Sequence, residues 1–152
     1  MNLLKFAAID IGTNAVRILF TNVIEDGNEV FFKKSSIIRV PVRLGTDVFT
    51  NGKISDRNIE KLTQAMIAFK HLMIVEDVVK YRACATSAMR EAENGAIVIK
   101  KVKKGSGITI EIIDGKTEAD IIFNNRLWID LIYTPMKELV WKSINIVLDL
   151  LF

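Results

Sequence analysis

The chain opens on two apolar runs, Ala7-Ala8-Ile9-Asp10-Ile11 and Ala15-Val16-Arg17-Ile18-Leu19-Phe20, joined by Gly12-Thr13-Asn14. Ile9 and Ile11 bracket Asp10, and Val16, Ile18 and Phe20 alternate along the second run, so a period of two predicts a hairpin with small polar residues at its tip. Glu25-Asp26-Gly27-Asn28 is a second turn signal, and 29–41 reads as a long third strand. Arg43-Leu44-Gly45-Thr46 is expected to open a loop that reaches Asn51-Gly52. Ser55 then caps a helix on which Ile59, Leu62, Met66, Phe69 and Met73 form one apolar stripe, the methionines serving as core filling. Val78–Ala85 is a fourth strand, ending at Thr86-Ser87-Ala88-Met89-Arg90-Glu91. Asn94 caps a further helix carrying Ile97, Val98 and Val102, which stops at Gly105 and Gly107. Residues 108–113 form a fifth strand, and Asp114-Gly115-Lys116-Thr117 turns into a short helix with Glu118, Ile121, Ile122 and Phe123.

Three strands, a helix, a strand, a helix and a strand make a ribonuclease H-like order, an α/β unit whose mixed five-stranded sheet carries helices packed on it. At 152 residues, 50% hydrophobic, the chain can bury one sizeable core. The division expected is a lobe over 1–125 and a divergent apolar tail over 126–152. Thr134 and Pro135 start a helix in that tail, with Met136, Leu139, Val140, Ile144, Val147, Leu148 and Leu151 at helical spacing. Alternation of Ile144, Ile146, Leu148 and Leu150 argues equally for a strand, and the helix is preferred. Either form must pack on its own domain or on another chain, so a homodimer through the tail is an expectation. Light scattering from a concentration-independent monomer would refute it.

A formal charge of +3 suits a polyanionic ligand without demanding nucleic acid, and no specific nucleic-acid partner is expected. Charges interrupt every apolar stretch before membrane-spanning length, no signal-type segment opens the chain, and the single cysteine fits a reducing compartment. The expectation is a cytoplasmic protein with no membrane partner.

Chemistry concentrates at the hairpin tip. Gly12 lets the backbone approach a ligand closely, and the amides after it, with the side chains of Thr13 and Asn14, can face one anion-favouring concavity. Asp10, ending its strand, is placed to hold a hydrated Mg²⁺, which needs only one or two carboxylates. The same Asp-x-Gly-x-Asn pattern is also ordinary hairpin chemistry, so other residues must decide.

Four segments supply them: Ala8-Ile9-Asp10-Ile11-Gly12-Thr13-Asn14-Ala15-Val16-Arg17, Val42-Arg43-Leu44-Gly45, Ala85-Thr86-Ser87-Ala88-Met89-Arg90-Glu91-Ala92, and Ile110-Glu111-Ile112-Ile113-Asp114-Gly115-Lys116-Thr117-Glu118-Ala119. In order and spacing, over about residues 6 to 125, they resemble the exopolyphosphatase and guanosine pentaphosphate phosphohydrolase family, of the actin, sugar-kinase and heat-shock ATPase superfamily. The resemblance implies a first phosphate loop at Gly12, Thr13 and Asn14, phosphate contacts from Arg17, Arg43 and Arg90, Mg²⁺ at Asp10, and Glu118 as catalytic base. It implies hydrolysis of a terminal phosphoanhydride in polyphosphate or guanosine pentaphosphate. A sugar-kinase-like ATP lobe fits the Thr86–Arg90 and Asp114–Glu118 segments less well.

Plainer roles stand beside these. Glu118 can act as a helix-dipole partner, Arg90 can pair with Glu91 or Glu93, and Arg17 and Arg43 can be surface charges. Lys100–Lys104 reads as a solvated helix face, Cys84 as a buried inert thiol, and His71 is assigned no chemistry. The family's second loop, an Asp-Ile/Val-Gly-Gly-Gly-Ser-Thr-Glu run, does not follow Glu118; Val147-Leu148-Asp149 is succeeded by Leu150-Leu151-Phe152. The expectation is therefore a truncated lobe, weakly active or inactive, with a non-catalytic phosphate-binding or protein-interaction module as the alternative.

Overall fold

The computed structural model describes residues 2–26 and 29–124. Strands β1 (Asn2–Ile11), β2 (Val16–Asp26) and β3 (Glu29–Val40) come first, followed by helices α1 (Leu44–Asn51) and α2 (Asp56–Val75) and strand β4 (Val78–Ala85). Then come α3 (Ser87–Glu91), α4 (Gly95–Ser106), β5 (Glu111–Ile112) and α5 (Gly115–Asn124). The sheet order is β3-β2-β1-β4-β5. β1 and β3 flank β2 antiparallel, whereas β4 runs parallel to β1 and to β5. The mixed five-stranded sheet with helices is the expected fold class. The tail over 126–152, with its helix-or-strand question and its dimer, lies outside the described residues.

Alternation sorts the strands into two faces. Ala7, Ile9, Ile11, Val16, Ile18 and Phe20 point to the side covered by α2, where Ile59, Leu62, Met66, Phe69 and Met73 deliver the stripe read from their spacing. A fully buried side chain such as Phe69 contributes on the order of 1.5–3 kcal/mol by leaving water. The helix starts where expected: the Ser55 hydroxyl accepts from Asn58 N at 3.3 Å. α4 packs on α2 at Gly105, where a Cβ would meet Thr63 Cγ2 at 2.6 Å. Phe6, Ala8, Asp10, Leu19, Thr21 and Cys84 belong to the opposite face and are also buried.

Several local expectations are corrected. The loop expected from Arg43 to Gly52 is helix α1, because Arg43 enters a left-handed conformation (φ 60, ψ 48) that turns the chain, and Leu44 and Val48 then bury one helical turn apart. Gly52, also left-handed, ends it by donating to Val48 O at 2.8 Å. Residues 86–91, read as a strand ending, contain the short helix α3. The fifth strand shrinks from 108–113 to two residues, since only Cys84↔Glu111 and Ala85↔Ile112 pair. Ile108 N is instead bound by Ser106 Oγ at 3.1 Å and Thr109 N by the Tyr81 hydroxyl at 3.3 Å. Asn94 stands at the start of α4 but does not cap it, its amide being spent on Ile54 N and O at 2.9 and 2.8 Å. Ile97 is 58% exposed; Val98 and Val102 carry that helix's burial. Among the described residues no helix is long and apolar enough to cross a membrane.

The start of α1 lies against the β1–β2 turn. Gly45 N donates to Thr13 O at 2.8 Å and Arg43 N to Asn14 O at 2.9 Å, while a Cβ at Gly45 would fall 2.2 Å from Thr13 Cγ2. Gly45→Ala is expected to cost about 1–3 kcal/mol by overpacking, read from the denaturant midpoint. An unchanged midpoint would show that the turn yields freely.

Candidate active site

β1 and β2 are in register with Asp10 opposite Arg17, and the turn between them is closed by Gly12 N donating to Ala15 O at 3.1 Å. The Gly12 amide, expected at a phosphate, is thus engaged in the hairpin. A side chain there would nonetheless crowd the approach, since a Cβ would sit 3.3 Å from Ala15 O and 3.6 Å from Asp10 Oδ2. Asn14 is exposed at the tip. Thr13 Oγ1 lies 2.9 Å from Ser87 Oγ, which joins the turn to the start of α3.

Asp10 is fully buried, and one of its oxygens is held by Arg17: Nε donates to Oδ2 at 2.9 Å and Nη2 closes on the same atom. Both bonds fall on Oδ2, leaving Oδ1 buried with no hydrogen-bond partner. Burial pushes the Asp10 carboxyl above the usual carboxylate range; the Arg17 charge and its hydrogen bonds oppose that rise, and the Glu118 charge adds to it. Glu118, over a hundred positions along the chain, therefore acts electrostatically on Asp10.

Glu118 reaches this place through α5. Asp114 Oδ1 accepts from Thr117 N at 2.6 Å and Asp114 O from Glu118 N at 2.9 Å, so the Asp-Gly-Lys-Thr turn starts the helix and puts Glu118 in its first turn. The Asp114 carboxyl is held below its usual range mainly by the backbone hydrogen bond from Thr117. Across from Glu118 stands Arg90, at the end of α3. Its Nη1 donates to Ile113 O at 2.9 Å and lies 3.5 Å from Glu118 Oε2. That partner is neither Glu91 nor Glu93, and Glu93 pairs with Lys53 at 3.2 Å instead. Arg90 Nε and Nη2 carry no hydrogen bond among the described residues, so the guanidinium is fixed at one corner and open at the others. Arg90 and Glu118 are about one-third and one-quarter exposed.

Thr86 connects these parts. Its amide donates to Ile11 O at 3.3 Å, extending the parallel ladder past Asp10, and its carbonyl accepts from Arg90 N at 3.0 Å. The ends of β1 and β4 thereby bring the turn, Asp10, Arg17, Arg90 and Glu118 to one end of the sheet. Arg43, exposed and tied to the turn through its backbone, stands at the edge of the group. Ser87 joins the site through Thr13 without a motif of its own; its one sequence signal is its position at a strand-to-helix junction, three residues before Arg90.

The remaining side chains keep the plainer roles. Cys84 is buried and its thiol is pushed up to about 12, chiefly by burial, so it stays protonated near neutral pH. Lys100, Lys101, Lys103 and Lys104 are exposed around buried Val102 on α4. His71 is exposed on α2.

A mixed five-stranded sheet whose strand ends gather a tight polar turn, two arginines and two carboxylates defines a lobe of the actin-like, ribonuclease H-like kind. The Ppx/GppA phosphatase family matches residues 23–125, and this chain belongs to that family. It is 28% identical over 120 residues to exopolyphosphatase 1 of Mycobacterium tuberculosis, covering 79% of this chain and 34% of that protein. It is 25% identical over 118 residues to a guanosine-5'-triphosphate,3'-diphosphate pyrophosphatase of Photobacterium profundum, covering 78% of this chain and 23% of the relative. The crystal structure of the Aquifex aeolicus Ppx/GppA member superposes with a TM-score of 0.73 at 27% identity, covering 82% of this chain and 40% of that one. The chain spans about a third or less of the length of these curated relatives.

The Asp10 environment has a testable sign. Folding raises its pKa above 3.8, so the folded state binds this proton more tightly than the unfolded one. The Asp10 contribution to stability must fall as pH rises from 3.8 through the folded value, and level off above it. Asp10→Asn has no such proton, so its stability relative to wild type is expected to improve with pH across that window. Denaturant unfolding of both proteins across a pH series checks this, and a flat difference would contradict it.

Proposed function

We propose that this chain is the phosphate-loop lobe of a hydrolase that cleaves terminal phosphoanhydride bonds in inorganic polyphosphate or guanosine pentaphosphate. The observation that carries the reading is the Arg90–Glu118 pair beside the Asp10–Arg17 turn. Phosphoryl transfer to water needs little covalent help; it needs a positioned water and charge stabilisation on the transferred group. Glu118, held in the first turn of α5 and partly open to solvent, would orient that water and take its proton. Arg90 would present Nε and Nη2 to phosphate oxygens, the fork geometry that lysine lacks. Thr13, Asn14 and Ser87 would offer short polar side chains from the turn and from α3, and Arg43 would add charge at the edge. Arg17 serves phosphate only by releasing Asp10.

Asp10 fits a bound Mg²⁺ through its orphaned Oδ1: a single carboxylate suffices for an ion that keeps waters and takes further oxygens from phosphate. The ion would supply neutralisation of charge on the phosphates.

A second reading is a phosphate-binding or protein-interaction module derived from the lobe, favoured by the Gly12 amide being engaged on Ala15 O within the hairpin. Phosphate release from polyphosphate with Mg²⁺ separates them. Any release by wild type is expected to fall by about 10²–10⁴-fold in Glu118→Gln, the usual scale of a lost general base. No release from either protein, with phosphate still bound, would reject hydrolysis and leave the binding module.

A further inference from the structure

Beside α1, away from the Arg90–Glu118 pair, a cavity of about 260 Å³ opens between Arg43 and the start of α2. Its charged lining is Arg43, Arg57, Lys61 and Asp47. Arg57 and Lys61 stand four residues apart on α2, the spacing that puts two side chains on one helix face. Arg43 and Arg57 are exposed and make no ion pair or side-chain hydrogen bond among the described residues. The carboxylate is already occupied: Asp47 Oδ2 accepts from Ser55 N at 2.9 Å, Ser55 Oγ at 2.6 Å and Asn58 Nδ2 at 2.8 Å. Three cations against one carboxylate leave a positive cavity whose arginines have no ion pair or side-chain hydrogen bond among the described residues.

We propose that this cavity is an anion subsite for the distal part of a linear polyphosphate chain, with Arg57 and Lys61 as its specificity residues. The inference rests on the hydrolase-lobe reading above and adds a preference within it. Arg43 is the physical link: its amide is bound to Asn14 O at 2.9 Å while its residue lines the cavity, so turn and cavity adjoin. Arg43 also adopts a left-handed conformation, a costly one for a side chain with a Cβ, which the bond to the turn holds in place. A repeating polyanion meets a row of separate cations at each step along its length, and its affinity then grows with the number of contacts. A nucleoside requires a stacking surface for its base, and none of the lining residues is aromatic. The chemistry therefore favours a base-free phosphate chain over a guanosine nucleotide at this subsite.

The test is equilibrium binding of long-chain polyphosphate, tripolyphosphate and GTP to wild type and to Arg57→Ala/Lys61→Ala. Both positions are exposed on α2, so the fold should be retained, as circular dichroism will report. Long-chain affinity is expected to fall about tenfold and its salt dependence to become shallower by about 1–2 in log–log slope. Tripolyphosphate and GTP should change by less than about twofold, because contacts confined to the turn do not reach the cavity. Arg57→Lys/Lys61→Ala should recover part of the long-chain affinity lost in the double alanine variant, since one phosphate-neutralising charge returns. Lys100→Ala/Lys103→Ala on α4 removes the same charge elsewhere and should leave the long chain bound. Equal losses for short and long chains, no loss, or an equal loss in the α4 variant would each overturn the subsite. Wild type that binds neither polyphosphate would overturn the lobe reading itself, and the subsite with it.

Discussion

One contact without a side chain organises this end of the molecule. Gly45 comes so close to Thr13 that no Cβ fits between them, and through that gap the backbone of 43–45 donates to both Thr13 and Asn14. A tight turn left to itself would be free to sway, because Gly12 and its neighbours contribute little burial of their own. Clamped from the α1 side and joined at 2.9 Å to Ser87 on the α3 side, it becomes a fixed element between two helices. The position of Arg43 follows from the same clamp, and so does the cavity beside it.

The second constraint is electrostatic. Asp10 is an ionisable group under a buried sheet face, and an isolated charge there would be prohibitive. Arg17 offsets part of that cost but engages only one oxygen, and the nearby charge of Glu118 raises the cost again. Arg90 in turn sits against Glu118 and Ile113 O. The site is therefore two carboxylates and two arginines in mutual balance. On the proposed reading, phosphate would draw on both arginines, and a cation or a proton on the carboxylate side would then restore the balance.

How much of this could be read from residues alone depends on the range of the interaction involved. The strands and α2 were legible because their patterns are dictated by burial along a single segment: Ile59 to Met73 has one period and one answer. Pairing of Asp10 with Arg17 was within reach too, since a two-residue-per-face hairpin places them opposite one another. Helix α1 was not legible, because Arg43, Gly45 and Gly52 read locally as a loop and only the turn packed against them makes a helix. β5 failed for a related reason: Ile108 and Ile110 carry the alternation of a strand, but Ser106 and Tyr81 take two of the amides a ladder would use. Asn94 has the right residue type for a cap, yet Ile54 offers both a donor and an acceptor to its amide, and two bonds outweigh one. The partner of Arg90 turned on a segment more than twenty positions away, which no local pattern encodes.

The pairing of both arginines also bears on how complete a site this lobe can make. A charge-assisted hydrogen bond is worth about 1.5–3 kcal/mol, and phosphate must break or share two such bonds with Arg17 before gaining its own. Arg90 asks less, with one firm bond to a carbonyl and a longer approach to Glu118. On the proposed reading the arginine freer to meet a ligand is thus Arg90, next to the candidate base, whereas Arg17 is engaged on Asp10. Filling Oδ1 of Asp10 with a cation would weaken the hold on Arg17 and free its guanidinium for phosphate. Cation and anion would then each make room for the other, a coupling built into the sharing of one buried carboxylate.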